Sequence, residues 1–182
     1  MSESSMDQLG KVILNGDRAS IEFQRYFPFP AEKVWSAITD NDKLASWFLT
    51  KIRIHPGPSG SVESWFGYPT LHVHGRIRVW DPPNILEHEW NLDPGPELPE
   101  GEFSIMRWEL INQNGGTILK LTHQNLTRET LTGLRRGLDP APAEHLILMR
   151  LNAYLAGSSG PSINREMRIL METYHRMLQR DP

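Results

Sequence analysis

Histidine is the side chain in this sequence best suited to bind a metal ion or to move a proton near neutral pH. His72 and His74 lie two residues apart in a run that alternates apolar and polar side chains, so both are expected on one strand face, roughly 7 Å apart. That spacing suits a metal ion only when further ligands converge on it, and the sequence offers no convincing third ligand. We therefore expect the pair on a solvated outer sheet face, and we expect no metal or cofactor.

A third histidine is a candidate for the interior. His123 has the same parity as Leu119 and Leu121, so in a strand it shares their apolar face. A lone buried histidine is usually a hydrogen-bonded core residue, but a neutral imidazole can also orient a ligand or act as acid or base. His123 is the candidate catalytic residue, although the sequence favours a binding protein over an enzyme because no nucleophile elbow or phosphate-binding loop is present.

Two charged residues could support a chemical role of that histidine. Arg107 and Glu109 lie on the strand predicted at residues 103–113, on the face opposite Trp108. One of the two faces must look inward, and the sequence leaves open which one. The charged pair lies beside His123 only if the tryptophan points outward.

Period-two alternation and turn residues predict strands through most of the chain up to about residue 126. The clearest run is residues 70–80. Apolar residues at odd positions alternate there with polar side chains at even positions, and Trp80 takes the last even position, on the polar face. Asn-Gly pairs at residues 15–16 and 114–115 supply the positive φ angles of tight turns, which indicates an antiparallel meander. The predicted strands are residues 11–14, 19–27, 50–55, 61–67, 70–80, 85–91, 103–113 and 116–125.

Four segments have the apolar spacing of helices. Two are short and near the N-terminus, namely residues 30–38 and a second helix that ends at Trp47 and Phe48. Residues 143–156 are apolar around most of the helix circumference, so this helix should be buried on most sides and is the natural filler of a curved sheet. Residues 163–178 form an amphipathic helix that we interpret as a C-terminal extension.

Length and composition limit the class of protein. A chain of 182 residues without cysteine most economically forms one domain, residues 11–182, after a disordered segment of residues 1–10. The first ten residues lack the apolar core of a signal peptide, and no apolar run approaches the roughly 18 residues of a membrane span, so we expect a cytoplasmic protein. A net charge of −3 gives no electrostatic reason to expect nucleic acid or a membrane as a partner.

Several short motifs follow one another in an order that resembles a known superfamily. They are Phe29-Pro30-Ala31-Glu32-Lys33-Val34-Trp35, Thr39-Asp40, Trp47-Phe48, Gly75-Arg76-Ile77, Pro82-Pro83, Arg107-Trp108-Glu109-Leu110, Thr122-His123 and Leu155-Ala156-Gly157. Their order and spacing resemble the START-like, helix-grip superfamily (SRPBCC). More closely, they resemble its branch of activator of Hsp90 ATPase homologues, over about residues 11–157.

The resemblance implies an α+β helix-grip fold of the START-like or Bet v type. In that fold a curved antiparallel sheet wraps around a long C-terminal helix, and two short helices lie near the N-terminus. We expect a cavity between the sheet and the long helix, with a small hydrophobic ligand, lipid-like or polycyclic, bound there. Its expected ligand-binding walls include Trp47, Phe48, Trp90, His123, Leu148, Leu151 and Tyr154.

Two other functions stay open at this point. The family name implies a chaperone partner, with the protein as a co-chaperone-like activator of the heat-shock protein 90 ATPase. A cyclase or dehydratase that uses the same cavity is the other alternative, with His123 as acid or base. A symmetric homodimer is compatible with the apolar surface of the last helix, and the sequence leaves the ligand, the partner and the oligomeric state open.

Two features depart from the family pattern. Members often carry a Gly-Trp pair at the start of the last long helix, where this chain has Glu144-His145-Leu146. An acidic loop rich in proline and glycine, residues 93–102, is also added. We interpret this loop as either a long hairpin connection or a lid over one end of the cavity.

Overall fold

The structure, a computed structural model, describes residues 8–66, 71–95, 99–132 and 139–179. Within these ranges the strands are β1 (Lys11–Asn15), β2 (Arg18–Phe27), β3 (Lys51–His55), β4 (Ser61–Phe66), β5 (Leu71–Asp81), β6 (Ile85–Leu92), β7 (Glu102–Gln113) and β8 (Gly116–Thr127). The helices are α1 (Ala31–Thr39), α2 (Asn41–Trp47), α3 (Arg128–Thr132), α4 (Pro140–Leu155) and α5 (Ile163–Leu178).

The strands form one antiparallel sheet in the order β1-β2-β8-β7-β6-β5-β4-β3. Strands β3 to β8 are a meander of consecutive neighbours, and the N-terminal hairpin joins it through the pairing of β2 with β8. Helices α1 and α2 carry the chain from β2 to β3 at the opposite edge of the sheet. The sheet curves around α4, so the predicted α+β helix-grip fold is confirmed.

The two short helices are fixed to each other by local polar contacts. The Asp40 side chain accepts hydrogen bonds from the backbone N–H groups of Asp42 and Lys43, which caps the start of α2. At its other end, the indole N–H of Trp47 donates to the carbonyl oxygen of Ala37, 3.0 Å away. These contacts set the direction in which the chain leaves α2.

Helix α4 is buried on most sides, as its sequence predicts. Leu146, Leu148 and Leu151 are fully buried, and the helix contacts α1, α2, α5 and β2. It begins at Pro140, three residues before the predicted start, because proline is well suited to the first turn of a helix. Among the described residues, no helix is both long and apolar enough to cross a lipid bilayer.

A register shift in the pairing of β5 with β6 lies between Ile77 and Val79. It inserts one residue into β5, so the alternation of faces moves by one position. Trp80 consequently points inward, where its ring centroid lies 5.1 Å from that of Trp35 on α1. The prediction that Trp80 shares the outer face of this strand is wrong, because period-two alternation cannot reveal an inserted residue.

The C-terminal end of β8 continues into α3, a short helix that the sequence analysis did not predict. The hydroxyl of Thr127 accepts a hydrogen bond from the backbone N–H of Thr130, which caps the helix. Strand β7 begins at Glu102, inside the predicted loop 93–102, and that side chain is only 2% exposed. Residues 96–98 of the loop lie outside the described residues, as do residues 1–7 of the segment predicted to be disordered.

Candidate functional site

A cavity of about 400 Å³ lies between the inner face of the sheet, α4 and the first turns of α5. Most of its wall is apolar and comes from five elements and the loop after α2. These apolar side chains are Phe48, Leu49, Trp90, Leu92, Met106, Leu126, Pro140, Ala143, Ile147, Ile163 and Met167. The cavity is therefore suited to an apolar guest of moderate size.

Alternation along the strands explains how these side chains reach the cavity. Inward-pointing residues of β6 include Trp90 and Leu92, and β7 contributes Met106 from its inner face. Helix α4 presents Ile147 from the opposite side, and α5 closes the space with Met167. Apart from the loop after α2, the wall is thus built on regular elements.

Hydrogen bonds of two side chains, Arg150 and Tyr174, hold α5 in its closing position. Arg150 donates from Nε to the carbonyl oxygen of Trp47 at 2.7 Å and from Nη1 to that of Pro161 at 3.1 Å, so it ties α2 to the segment that leads into α5. Near the other end, the hydroxyl of Tyr174 accepts a hydrogen bond from the backbone N–H of Gly10 at 2.6 Å. Burial raises the pKa of Tyr174 well above its ordinary value, so the hydroxyl stays protonated.

A buried pair of ionisable groups stands in the cavity wall. Nδ1 of His123 on β8 lies 2.5 Å from Oε1 of Glu144 on α4, and the side chains are 2% and 3% exposed. The other ring nitrogen, Nε2, lies 2.8 Å from the Ser104 hydroxyl oxygen, which is 2.6 Å from the carbonyl oxygen of Trp90. Both ring nitrogens are therefore engaged by protein atoms.

The directions of these hydrogen bonds follow from the carbonyl oxygen of Trp90, which is the last acceptor of the network. A carbonyl oxygen can only accept, so the hydroxyl of Ser104 donates to Trp90 and must accept from Nε2–H of His123. One proton is then shared between Nδ1 and Oε1 of Glu144. Whether the pair is imidazolium with carboxylate or imidazole with carboxylic acid, it carries no net charge.

The second carboxylate oxygen of Glu144 takes no part in this network. Among the residues that the structure describes, Oε2 is buried and has no hydrogen-bond partner. A buried acceptor without a donor costs about 1–3 kcal/mol, and most such atoms in folded proteins are paired. Of the two buried acids in the described cavity wall, Glu102 and Glu144, it is therefore Glu144 that has unused bonding capacity, and His123 acts as its positioning residue.

A second buried acid in the wall has its hydrogen bonds satisfied. Both oxygens of Glu102 accept from the backbone N–H of Thr127, at 3.1 and 3.2 Å. The hydroxyls of Thr127 and Thr130 also donate to Oε2 of Glu102. This carboxylate fixes the junction of β8 and α3 at one end of the cavity.

His88 lies beside the cavity, deeper in the sheet-facing core. It lines a small neighbouring space of about 20 Å³ together with apolar residues. Its Nδ1–H donates to the carbonyl oxygen of Glu89 at 2.9 Å. Burial lowers the pKa of His88 to about 4, with a smaller contribution from the nearby His123, so the ring is neutral at physiological pH.

Three of the seven predicted ligand-binding residues line the cavity, namely Phe48, Trp90 and His123. Trp47 instead lines the small space next to it. The ring of Tyr154 packs beside that tryptophan, 6.5 Å between centroids.

The remaining two predicted wall residues, Leu148 and Leu151, are fully buried on α4 and are not among the described residues that line the cavity. The helix turns these two side chains into the core, whereas Ile147 and Glu144, one turn apart, face the cavity.

The open question of strand β7 is resolved by its pairing with β8. Met106 is directly opposite His123 in the ladder and shares its face, so Trp108 also points inward. Arg107 and Glu109 therefore lie on the outer face, and the guanidinium of Arg107 pairs with Glu87 at 2.9 Å. They cannot support His123, because the sheet separates them.

The outer face also carries the predicted His-x-His pair. The ring of His72 stacks on Trp65 with centroids 5.1 Å apart, and Nε2 of His74 lies 3.0 Å from a carboxylate oxygen of Asp93. In the part of the chain that the structure describes, no three histidine, aspartate or glutamate side chains are arranged to hold a metal ion.

Sequence reasoning missed Glu144 and Ser104 as members of the site. A signal for Glu144 was available, because it is an acid in a helix predicted to be buried on most sides. A buried acid needs a hydrogen-bonding partner. Ser104 gave no comparable signal, because a serine on an alternating strand is common on either face.

Comparison with protein families gives one match. A family model described as "Activator of Hsp90 ATPase homolog 1-like protein" matches residues 28–141, which is more than half of the chain. No curated protein matches the chain in sequence. The family match includes both short helices and the strands β3 to β8, and it ends where α4 begins.

Solved structures with the same fold span nearly the whole chain. A Bordetella parapertussis protein encoded by gene BPP1335 has a TM-score of 0.67 and 25% identity over 96% of this chain and 92% of that chain. CalU16 from Micromonospora echinospora has a TM-score of 0.66 and 20% identity over 93% and 94%. A protein of unknown function, EF2215 from Enterococcus faecalis, has a TM-score of 0.65 and 15% identity over 90% and 89%.

Proposed function

The chain belongs to the activator of Hsp90 ATPase homolog 1-like family, and on that premise we propose that it binds a small hydrophobic ligand in the cavity between the sheet, α4 and α5. The observation that carries the proposal is the cavity of about 400 Å³, which falls within the 300–1,000 Å³ typical of small-molecule sites. Its wall is mostly apolar, with a few polar groups that can orient a guest.

The free energy of binding in such a cavity favours a ligand with a large apolar surface. Burying apolar area contributes about 25 cal/mol for each Å² removed from water, so a ligand of two or three fused rings gains most from this wall. Phe48 and Trp90 offer flat aromatic faces, and Met106 and Met167 supply flexible side chains that adapt to different shapes. A polycyclic or lipid-like compound matches this lining.

The experiment is a titration with Nile red, a neutral dye that fluoresces strongly in apolar surroundings. Ala143 lines the cavity, so Ala143→Phe places a bulky ring in the ligand space. The matched control is Ala45→Phe, the same change at an exposed position of α2.

We expect the wild-type protein and Ala45→Phe to bind the dye alike, and Ala143→Phe to bind it at least about tenfold more weakly while it stays folded by circular dichroism. Equal binding by all three proteins would contradict the proposal, because the dye would then occupy another surface.

Chaperone activation is a second candidate, and the observation that favours it is the family match itself, whose description names the heat-shock protein 90 ATPase. The test is the ATPase rate of that chaperone with and without this protein. A raised rate together with co-elution on a sizing column would support the role, and an unchanged rate at saturating protein would refute it.

A cyclase or dehydratase activity is the third candidate, favoured by the buried pair of His123 and Glu144. Because both ring nitrogens of His123 are engaged, Glu144 is the group placed to exchange a proton with a bound compound. Each compound that displaces Nile red can be incubated with wild type and Glu144→Gln and analysed by mass spectrometry. A product formed by the wild type alone would support catalysis, and unchanged compounds would leave binding as the function.

Two further expectations belong to this proposal. A cytoplasmic location is expected from the sequence, and a symmetric homodimer is compatible with the apolar surface of the last helix. Light scattering after size-exclusion chromatography distinguishes a monomer of 20.9 kDa from a dimer.

A further inference from the structure

We infer that the ligand of this cavity carries a neutral hydroxyl group that donates a hydrogen bond to Oε2 of Glu144. The inference rests on the proposed function, since it names the chemical class of the ligand. The inferred ligand is an amphipathic compound, such as a phenol or a polycyclic alcohol, with one hydroxyl at the end of an apolar body.

The first step is the unused oxygen itself. Glu144 is a cavity-wall residue whose side chain is 3% exposed, and Oε2 has no partner among the described residues. Its sister oxygen Oε1 is already engaged by Nδ1 of His123. A donor brought by a ligand would complete the bonding of this carboxylate.

The second step is that Oε2 accepts in either arrangement of the shared proton. If the proton lies on His123, Glu144 is a carboxylate and Oε2 is an anionic acceptor. If the proton lies on Oε1, Oε2 is the carbonyl oxygen of a carboxylic acid and still accepts. The ligand must therefore supply a donor rather than an acceptor.

The third step concerns the charge of that donor. The pair of His123 and Glu144 carries no net charge, because the hydrogen bond from Nε2–H to Ser104 leaves one proton to share. An ammonium group would add an uncompensated charge among apolar side chains, which is costly, whereas a hydroxyl adds none. The cavity thus favours a neutral donor.

The fourth step is that the other buried acid and the buried serine of the cavity wall are already satisfied. Glu102 accepts from Thr127 and Thr130, and Ser104 both donates and accepts. Glu144 is consequently the anchoring point that the geometry points to. The rest of the ligand lies against apolar side chains such as Met106 and Ile147.

The test compares 2-naphthol with 2-methylnaphthalene, which have the same shape and differ by a hydroxyl against a methyl group. Dissociation constants are measured by displacement of Nile red from wild type, Glu144→Leu and Glu144→Gln. The ratio of the two constants within one protein is compared between proteins, so that the different hydration of the two compounds cancels.

We expect the preference for 2-naphthol to fall about tenfold in Glu144→Leu, equivalent to about 1.4 kcal/mol. Glu144→Gln should keep the preference within about threefold, because its amide N–H₂ can donate to Nδ1 of His123 while its carbonyl oxygen takes the place of Oε2. If Glu144→Leu does not fold, the double substitution His123→Phe with Glu144→Leu serves instead, since it removes both members of the pair.

An unchanged preference in Glu144→Leu would overturn the inference, while Nile red binding that is sensitive to Ala143→Phe would leave the proposed function standing. A 2-(aminomethyl)naphthalene probe, cationic at neutral pH, that depends on Glu144 more strongly than 2-naphthol does would overturn the choice of a neutral donor. If no probe, Nile red included, binds the wild-type protein, cavity binding fails and the inference fails with it.

Discussion

Nδ1 of His123 lies 2.5 Å from Oε1 of Glu144, and this contact joins the inner face of β8 to α4 inside the core. Neither element carries the site alone, because the imidazole comes from the sheet and the acid from the helix. The pair therefore fixes the helix against the sheet at the same place where, in the proposed function, Glu144 offers an oxygen to a ligand. The proposal thus couples stability and binding through one contact.

Removing one member of this pair should destabilise the fold. Glu144→Leu leaves Nδ1 of His123 buried without a partner, which costs about 1–3 kcal/mol, whereas Glu144→Gln retains a donor and should cost less than about 1 kcal/mol. Urea unfolding measures both changes in the free energy of unfolding.

A double variant provides the control for that measurement. His123→Phe combined with Glu144→Leu removes both partners and should recover part of the loss, since two apolar groups leave no orphaned atom. A single variant Glu144→Leu as stable as wild type would show that the contact contributes nothing.

The neutral state of His88 predicts a pH dependence of stability. Burial lowers the pKa of His88 in the folded state to about 4, below the ordinary histidine value of about 6.5, so between these values the unfolded chain binds more protons. Stability should therefore fall as the pH is lowered from about 6.5 to about 4, by up to about 3 kcal/mol from this group. Urea unfolding at a series of pH values measures the slope.

The matched variant is His88→Phe, which keeps a ring in the same space without a titrating group. Its stability should depend less on pH in this window than that of the wild type. Parallel pH profiles of the two proteins would mean that His88 binds protons equally in the folded and unfolded states.

Much of the fold could be predicted because hydrophobic periodicity and turn residues act locally. Helix α5 has the predicted bounds, and the strand β8 places His123 inward by its parity with Leu119 and Leu121. The inserted residue in β5 could not be predicted, because a bulge is set by pairing with β6. The alternation rule consequently misplaced Trp80.

The candidate site was less predictable, because its members meet only in the tertiary structure. The alternation of side chains along β8 predicted that His123 faces inward. The rotation of α4 against the sheet, however, decides that Glu144 and not Leu148 or Leu151 faces the cavity. The inward face of β7 likewise depends on which residues of β8 it opposes. Interstrand register and helix rotation are long-range properties that one sequence does not display.

A close approach between β5 and β6 predicts a strong effect of a small substitution. A Cβ atom added at Gly75 would lie 1.9 Å from the backbone oxygen of Glu89, so Gly75→Ala must displace a strand. We expect a loss of about 2 kcal/mol or more in thermal or urea unfolding. Gly95→Ala is the control, since nothing lies within 4 Å of a Cβ there, and equal effects at both sites would contradict the explanation.

The hydroxyl of Tyr174 is expected to hold α5 to the chain's start. Tyr174→Phe removes the acceptor of the backbone N–H of Gly10, which should cost about 1–2 kcal/mol. Hydrogen exchange should quicken in α5 and at residues 8–10 while β7 and β8 keep their protection. Unchanged exchange in α5 would show that apolar packing alone docks the helix.

The central claim, that an apolar guest enters the space between the sheet, α4 and α5, is tested most directly by methyl resonances during a titration. The protein is labelled at methionine and isoleucine methyl groups, and 2-methylnaphthalene is added. Met106 and Ile147 line the cavity, whereas Met171 lines two neighbouring spaces and is not among the described residues of the cavity wall. We predict saturable shifts at Met106 and Ile147 and none at Met171, and shifts confined to Met171, or no shifts at all, would contradict the account.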